Sequence, residues 1–456
     1  MMQLSVGLDF GTSNSSVAVY DGERVRLVPL DPAAPDPSVM RTLLYLGRDG
    51  ARLCGQAALD RYLEQNVGRP VRLEPRYVGT IEMTLTSPDE KDAFTVVQDT
   101  HAMVDVNEPG RLFQSIKARL PDRTFQRTDI FGAAYTLAEL IALIARAIVD
   151  RAEAFIGAPV RRLMVGRPVA FSTDPERERL AGERLETAFA RLEIPELGYL
   201  EEPVAAAYDY ARTAPAKRTA VVFDFGGGTL DVTVIRTTEA APRVLATGGV
   251  PVGGDRLDKR IVETHLLKHF GEGAAVGPQH LPLPRQIFGR LLRWQSMVQL
   301  NKPETFDVIH RAIAEGDQPH QLRALLTLIS RNYGLELFRA VEGTKRRLSD
   351  RDAAVLDFQR EGIAIREEIA RPDFERAIRR EFLEVERCVT ETAERAGIAE
   401  GAVDAVVTTG GSSRIPLFRE MLRRRFPSAE LTERSAFTSV ATGLALAGAA
   451  SDGLGT

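Results

Sequence analysis

Gly226, Gly227, Gly228 and Thr229 follow Asp224 after a single intervening residue, and Gly11, Thr12 and Ser13 follow Asp9 in the same way. Glycine at a tight turn lets the backbone approach a ligand and aim successive N–H groups at an anion, as holding a phosphate requires. A carboxylate beside such a turn would repel the phosphate unless a divalent cation stood between them. Asp9 and Asp224 at matched positions therefore point to Mg²⁺ held largely through water. A turn-forming aspartate at a strand end is the plainer reading of either residue alone. Glu202, ahead of Pro203 and a helical run, either complements a helix N-terminus or faces the same cation or an attacking water. Glu342, Lys345, Arg346 and Ser349 in VEGTKRRLSD are spaced i, i+3, i+4 and i+7 along one helical stripe. Such a stripe is commonly a solvated salt-bridge face; beside a nucleotide cleft it could bond a ribose and flank an adenine. Gly410 to Pro416 forms a strand-to-helix turn able to hold an anion through Gly411 and Ser412, with Arg414 able to stack on a flat base. Lys117, in RLFQSIKARL, is unremarkable by itself.

The elements that position these residues repeat. VGLDFGTSNSSVAV, from Val6, aligns without a gap on VVFDFGGGTLDVTV, from Val221, about 215 residues later. Each copy predicts a strand ending in Asp, a turn of small residues and a second alternating strand. Further on, each half predicts a strand running into a helix: Arg162 to Val165, and Tyr199 to Glu202 before Pro203; then Ala405 to Thr409 before the helix from Leu417 to Arg425. The expected fold is α/β: two pseudo-symmetric lobes, each a core sheet flanked by helices with an inserted subdomain. The first lobe spans 1–215 with a strand-rich insertion at about 41–111, and a final helix at 436–450 returns to it. The second spans 216–435 with a helical insertion at about 255–371, and 451–456 is a short tail.

Length and composition agree with this division. The 456 residues suit about three compact units, and 44% hydrophobic residues can fill large cores. Fifty-nine basic against 63 acidic side chains argue against a global nucleic-acid or anionic-membrane footprint. Two distant cysteines, Cys54 and Cys388, write neither a disulfide framework nor a CxxC motif. With no signal peptide and no run of 18 apolar residues, a cytoplasmic protein is expected. His265 and His269 sit four apart without a third ligand in view, and Trp294 is expected in a core.

Taken together, the two aspartate–glycine hairpins, VGGDRLDKRIV from Val252, TTGGSSRIPLF from Thr408, VEGTKRRLS and EEPVAAAY from Glu201 resemble, in order, the ATPase domain of Hsp70 chaperones. The resemblance implies an actin-like fold with ATP or ADP and Mg²⁺ at the base of a cleft. It assigns phosphate contacts to Gly11, Thr12, Ser13, Gly226, Gly227, Gly228 and Thr229, and the hydrated metal to Asp9, Asp224 and Glu202. Lys117 would be similar to the lysine that positions the attacking water. Glu342, Lys345, Arg346 and Ser349, with Gly411, Ser412 and Arg414, would bind adenosine. Three departures stand out: Val204 replaces a threonine, Phe437 an aspartate, and the stretch from Asp258 to Glu342 is long for the family. The chain resembles a truncated, ATPase-only YegD-like branch, with no peptide-binding module expected after the final helix. A protein partner on the helical insertion or a lobe surface is compatible with this reading. Its rivals are a nucleotide-gated assembly protein with little turnover and a sugar-type small-molecule kinase on the same fold.

Overall fold

Val6, Leu8 and Phe10 alternate with smaller or polar residues along β1 (Ser5–Phe10), which turns at Gly11–Ser13 into β2 (Asn14–Tyr20). The two run antiparallel in unbroken register from Ser5↔Tyr20 to Phe10↔Ser15. β3 (Val25–Leu27) pairs with the far side of β2, while β4 (Arg162–Arg167) and β5 (Glu196–Glu201) join β1 in parallel, giving the order β5-β4-β1-β2-β3. The computed structural model describes residues 4–86, 93–212, 214–215, 217–238, 242–433 and 438–450.

The second lobe repeats the plan. β6 (Thr219–Phe225) and β7 (Leu230–Arg236) form the hairpin, β8 (Arg243–Val250) lies beyond β7, and β9 (Ala405–Thr409) and β10 (Glu430–Glu433) add in parallel. The order β10-β9-β6-β7-β8 has the same strand directions as the first sheet. The 14-residue repeat thus extends to five matching strands per lobe, the first sheet carrying a sixth, Val39–Arg41, on β2, and the central strands are buried.

Four helices matter for the site: α1 (Glu202–Ala211), α2 (Gly254–Ile261), α3 (Gly334–Asp350) and α4 (Ser439–Ala450). α1 follows the first sheet and packs on β6 and β7 of the second; α4 follows the second and packs on β1, β2 and β4 of the first. The two helices cross between the lobes on small residues. Ala205, Ala206 and Ala207 are wholly buried, and a Cβ at Gly443 would collide with the Ala205 carbonyl. Residues 436 and 437 of the expected final helix, with the Phe437 departure, lie outside the described residues.

Residues 43–114 are strand-rich. Leu43–Gly47, Arg52–Cys54 and Gly110–Gln114 form a small sheet beside the helix Gln56–Asn66, and Leu73–Thr86 pairs with Ala93–Asp105 as a long ribbon. The second insertion corrects the reading of 255–371 as helical, because Ala353–Arg360 and Ile363–Ala370 form a β-hairpin. Its inward residues Ala354, Leu356, Phe358, Ile363, Ile365 and Ile369 recur at a spacing of two, but Ala353, Val355 and Ala364 on the outward face are apolar and Glu367 falls at an inward position, which blurs the alternation. Trp294 is buried as expected, but in a cluster that joins the insertions. With Leu335 it packs on Leu43, Tyr45, Leu59, Tyr62 and Leu112 of the first lobe, its ring centroid 5.8 Å from that of Tyr62. Hydrogen bonds from Trp294 Nε1 to Gln114 (3.0 Å) and from Asn332 Nδ2 to the Tyr62 hydroxyl (3.1 Å) and the Asn66 carbonyl (3.0 Å) reinforce it.

Candidate functional site

The two hairpin tips face each other across the cleft. A Cβ on Gly227 would collide with Ser13 Oγ, and one on Gly228 would lie 2.7 Å from Thr12 Oγ1. Only glycine permits this approach. Thr229 closes the second tip, its carbonyl accepting from Gly226 N at 3.0 Å. Gly253 and the first turn of α2 seal the outer side of that tip: Gly254 N donates to the Gly226 carbonyl (3.0 Å) and Asp255 N to that of Gly227 (2.9 Å). Asp255 also accepts from Ser115 of the first lobe at 2.8 Å, a second bridge over the tips.

Asp9 and Asp224 end β1 and β6 beside the tips. Glu202, the first residue of α1, forms a buried ion pair with Lys117, which stands on a short 3-10 turn, Ile116–Arg119. The turn leaves Lys117 nine-tenths and more buried, a position its sequence neighbourhood does not announce. Val204, the third residue of α1, is buried.

Asp231 was missed by the sequence reading. It is 1% exposed and stands directly opposite Asp224 in the β6–β7 register, where the first hairpin places Ser16 opposite Asp9. Val169 N donates to it at 2.7 Å. The available signal was an Asp in the otherwise apolar run LDVTV at the cross-strand partner position of Asp224.

These acids burden one another. Burial, then the Glu202 charge, hold Asp9 well above the usual carboxylate range, only partly offset by Lys117. Burial and the same glutamate push Asp224 up to about 7, against a hydrogen bond from Thr409. Burial, Glu202 and Asp224 raise Asp231 well above its ordinary value, opposed by Val169 N–H and the Thr229 hydroxyl. Nearby carboxylates raised this way are what an absent divalent cation would relieve. Among the described residues no three His, Cys, Asp or Glu groups are close enough to ligate a metal directly.

The predicted adenosine stripe divides. Lys345 turns inward to Asp258 (2.9 Å) and the Gly254 carbonyl (3.0 Å), and burial pushes that aspartate up to about 6 against the lysine's pull. Ser349 bonds back to the carbonyl of Lys345 on its own helix. Glu342 is half-buried, 4.0 Å from Arg41, and Arg346 is exposed. Ser412 Oγ donates to the Gly226 carbonyl at 3.0 Å, and Gly410, at φ 78°, abuts the Phe225 carbonyl. The Gly411–Arg414 turn therefore rests against the second tip. Arg414 itself is drawn off to Glu433 at 2.7 Å.

Paired sheets joined by crossing helices, with facing glycine tips and a carboxylate floor, define a two-lobed actin-like protein of the nucleotide-binding kind. A family model described as Hsp70 protein matches residues 112–281 and 330–454. The chain belongs to the Hsp70 family. It is 26% identical over 426 residues to a chaperone protein DnaK of Trichormus variabilis, covering 92% of this chain and 50% of that protein. A DnaK of Thermus thermophilus is 25% identical over 424 residues, covering 92% and 57%. A chaperone protein dnaK3 of Thermosynechococcus vestitus is 30% identical over 264 residues, covering 57% and 34%. The chain thus spans about half the length of the curated relatives it matches.

Proposed function

We propose that this chain binds Mg·ATP between its two hairpin tips and hydrolyses it to ADP and phosphate. The observation that supports this best is the close apposition of the two tips, where a Cβ on Gly227 or Gly228 would collide with Ser13 or Thr12, so that glycine backbone of one hairpin faces hydroxyls of the other. In this reading Gly11, Thr12, Ser13, Gly226, Gly227, Gly228 and Thr229 cradle the phosphates. Asp9, Asp224 and Glu202, with Asp231 added, would hold the hydrated Mg²⁺, which when bound would neutralise charge on the β- and γ-phosphoryl oxygens. Lys117, held by Glu202, orients the attacking water and faces the charge that develops on the phosphoryl group. Glu342, Arg346 and Ser349 take the ribose and base, with Lys345, Gly411 and Ser412 setting the floor beneath them and Arg414 swinging from Glu433 to the base. The lobe boundaries near 215 and 435 belong to the same reading.

Calorimetric titration with ATP, ADP and GTP, with and without Mg²⁺, tests it. Magnesium-dependent adenine-nucleotide binding is expected, and failure to bind at millimolar nucleotide would end the reading. Lys117→Ala should keep nucleotide affinity within a few-fold and slow single-turnover hydrolysis by about 100-fold or more. Unchanged hydrolysis would remove the lysine from the mechanism.

A further inference from the structure

Glu202 holds the amine of Lys117, but an ion pair at the end of a four-carbon stem does not fix the backbone from which the stem springs. That backbone is the short turn Ile116–Arg119, entered through Ser115 at φ 52° and closed by Leu120. Such a turn leaves carbonyls without partners at its end. Arg184, on the helix Pro175–Ala190, supplies them. One of its terminal nitrogens donates to the Leu120 and Asp122 carbonyls, both at 2.8 Å, and the other to the Phe125 carbonyl at 2.6 Å. No carboxylate pairs with Arg184 among the described residues, so its guanidinium serves this loop alone. The helix that carries it is anchored: Asp174 caps its start, and Leu185 and Phe189 are buried in the core that also takes Ile116 and Leu120. The same chain runs on through β5 to Glu202, so residues 175–202 hold both the backbone of the lysine's turn and its amine.

We infer that Arg184 is a positioning residue for Lys117: by gripping three carbonyls between 120 and 125 it sets where the lysine's backbone stands, and so where its amine meets the attacking water. The inference rests on the role given to Lys117 above and deepens it. A planar guanidinium reaches several carbonyls in fixed directions, whereas an ammonium is a single point charge. Without Arg184 the three carbonyls turn to water, the loop gains freedom, and Glu202 alone holds the lysine. Arg184 bonds to neither hairpin tip and to none of the acids beside them. Nucleotide binding therefore stays in place while the water loses its orientation, and a displacement of about 1 Å at such a group costs on the order of 100-fold in rate.

The test measures Mg·ATP affinity, single-turnover hydrolysis and the acylation rate of individual lysines, read by peptide mass spectrometry, in the full chain. Arg184→Ala should slow hydrolysis by about 10- to 100-fold with Mg·ATP affinity held within about twofold, and Arg184→Lys should fall between it and the parent. Added methylguanidinium should recover part of the alanine variant's loss. On a Lys117→Ala background, Arg184→Ala should cost nothing further, because the two residues act through one amine. Lys117, 4% exposed and paired with Glu202, should be acylated about tenfold faster or more in Arg184→Ala. Lys345, paired with Asp258 in the other lobe, should keep its parent rate, which separates a freed turn from a loosened fold. Acylation of Lys117 at the parent rate, an equal rise at Lys345, or a full further loss of hydrolysis on the Lys117→Ala background would overturn the inference. If the parent itself hydrolyses no ATP, the nucleotide reading falls, and the two acylation rates alone then decide whether Arg184 holds the lysine.

Discussion

Asp224 shows at residue scale how burying acids beside one another strains the chain that holds them. Its carboxyl titrates at about 7 in the folded protein, chiefly through burial, against about 4 when unfolded. Between these values the unfolded chain releases the proton and the folded chain keeps it. The stability present at low pH is therefore lost as pH climbs from about 4 to about 7, and is level above. Asp9 and Asp231 shift in the same direction. In nucleotide- and magnesium-free buffer the melting temperature should fall from pH 5 to pH 8. Asp224→Asn should flatten that fall and melt at least as high as the parent at pH 8, while weakening Mg·ATP binding. A variant with the parent's slope would show that the aspartate is ionised in the free protein. With the aspartate protonated in the free protein near neutral pH, metal binding must displace that proton, so the parent's apparent Mg·ATP affinity should rise between pH 6 and pH 8.

At the scale of elements, the crossing of α1 and α4 has no slack. A side chain at Gly443 would enter the Ala205 backbone, and one at Gly7 the backbone at Ala441 and Ala445. Gly443→Ala should cost about 3 kcal/mol or more, since backbone rather than a rotamer must yield, and a thermal melt would register it. A shift within error would mean the helices slide past one another freely. These elements were legible in sequence where local chemistry and period agreed. The aspartate–glycine hairpins, the strand Ala405–Thr409 and the Pro203 helix start stand where the residues predict. The hairpin at 353–370 was hidden because apolar residues at outward positions (Ala353, Val355, Ala364) and Glu367 at an inward one blur its period of two. Lys117 was promoted only by likeness, since its partner Glu202 is 85 residues away and no local pattern joins them. Asp231 was overlooked because a lone acid in an apolar strand gains meaning only once register sets it against Asp224.

For the whole molecule, the decisive contacts lie far from the phosphates. Trp294 and Leu335 against Tyr62 and its neighbours, the Asn332 bonds, and Gly68 N to the Arg331 carbonyl at 2.8 Å tie the insertions of opposite lobes together. On the proposed function, nucleotide leaves the cleft only once these contacts part. Removing a buried tryptophan side chain costs about 3 to 5 kcal/mol in a core. If a third to a half of that belongs to the closed state alone, Trp294→Ala should speed release of fluorescent ADP by about tenfold. Because the tryptophan also packs within its own lobe, Asn332→Gly supplies an independent probe: it keeps the positive φ of 54° and deletes two bonds that cross between lobes. Both variants should accelerate release without changing the rate of hydrolysis in a single turnover, because neither side chain touches the tips. Release at the parent rate in both would place the barrier to opening elsewhere, at the Ser115–Asp255 bridge over the tips, where Ser115→Ala should then be the variant that hastens it.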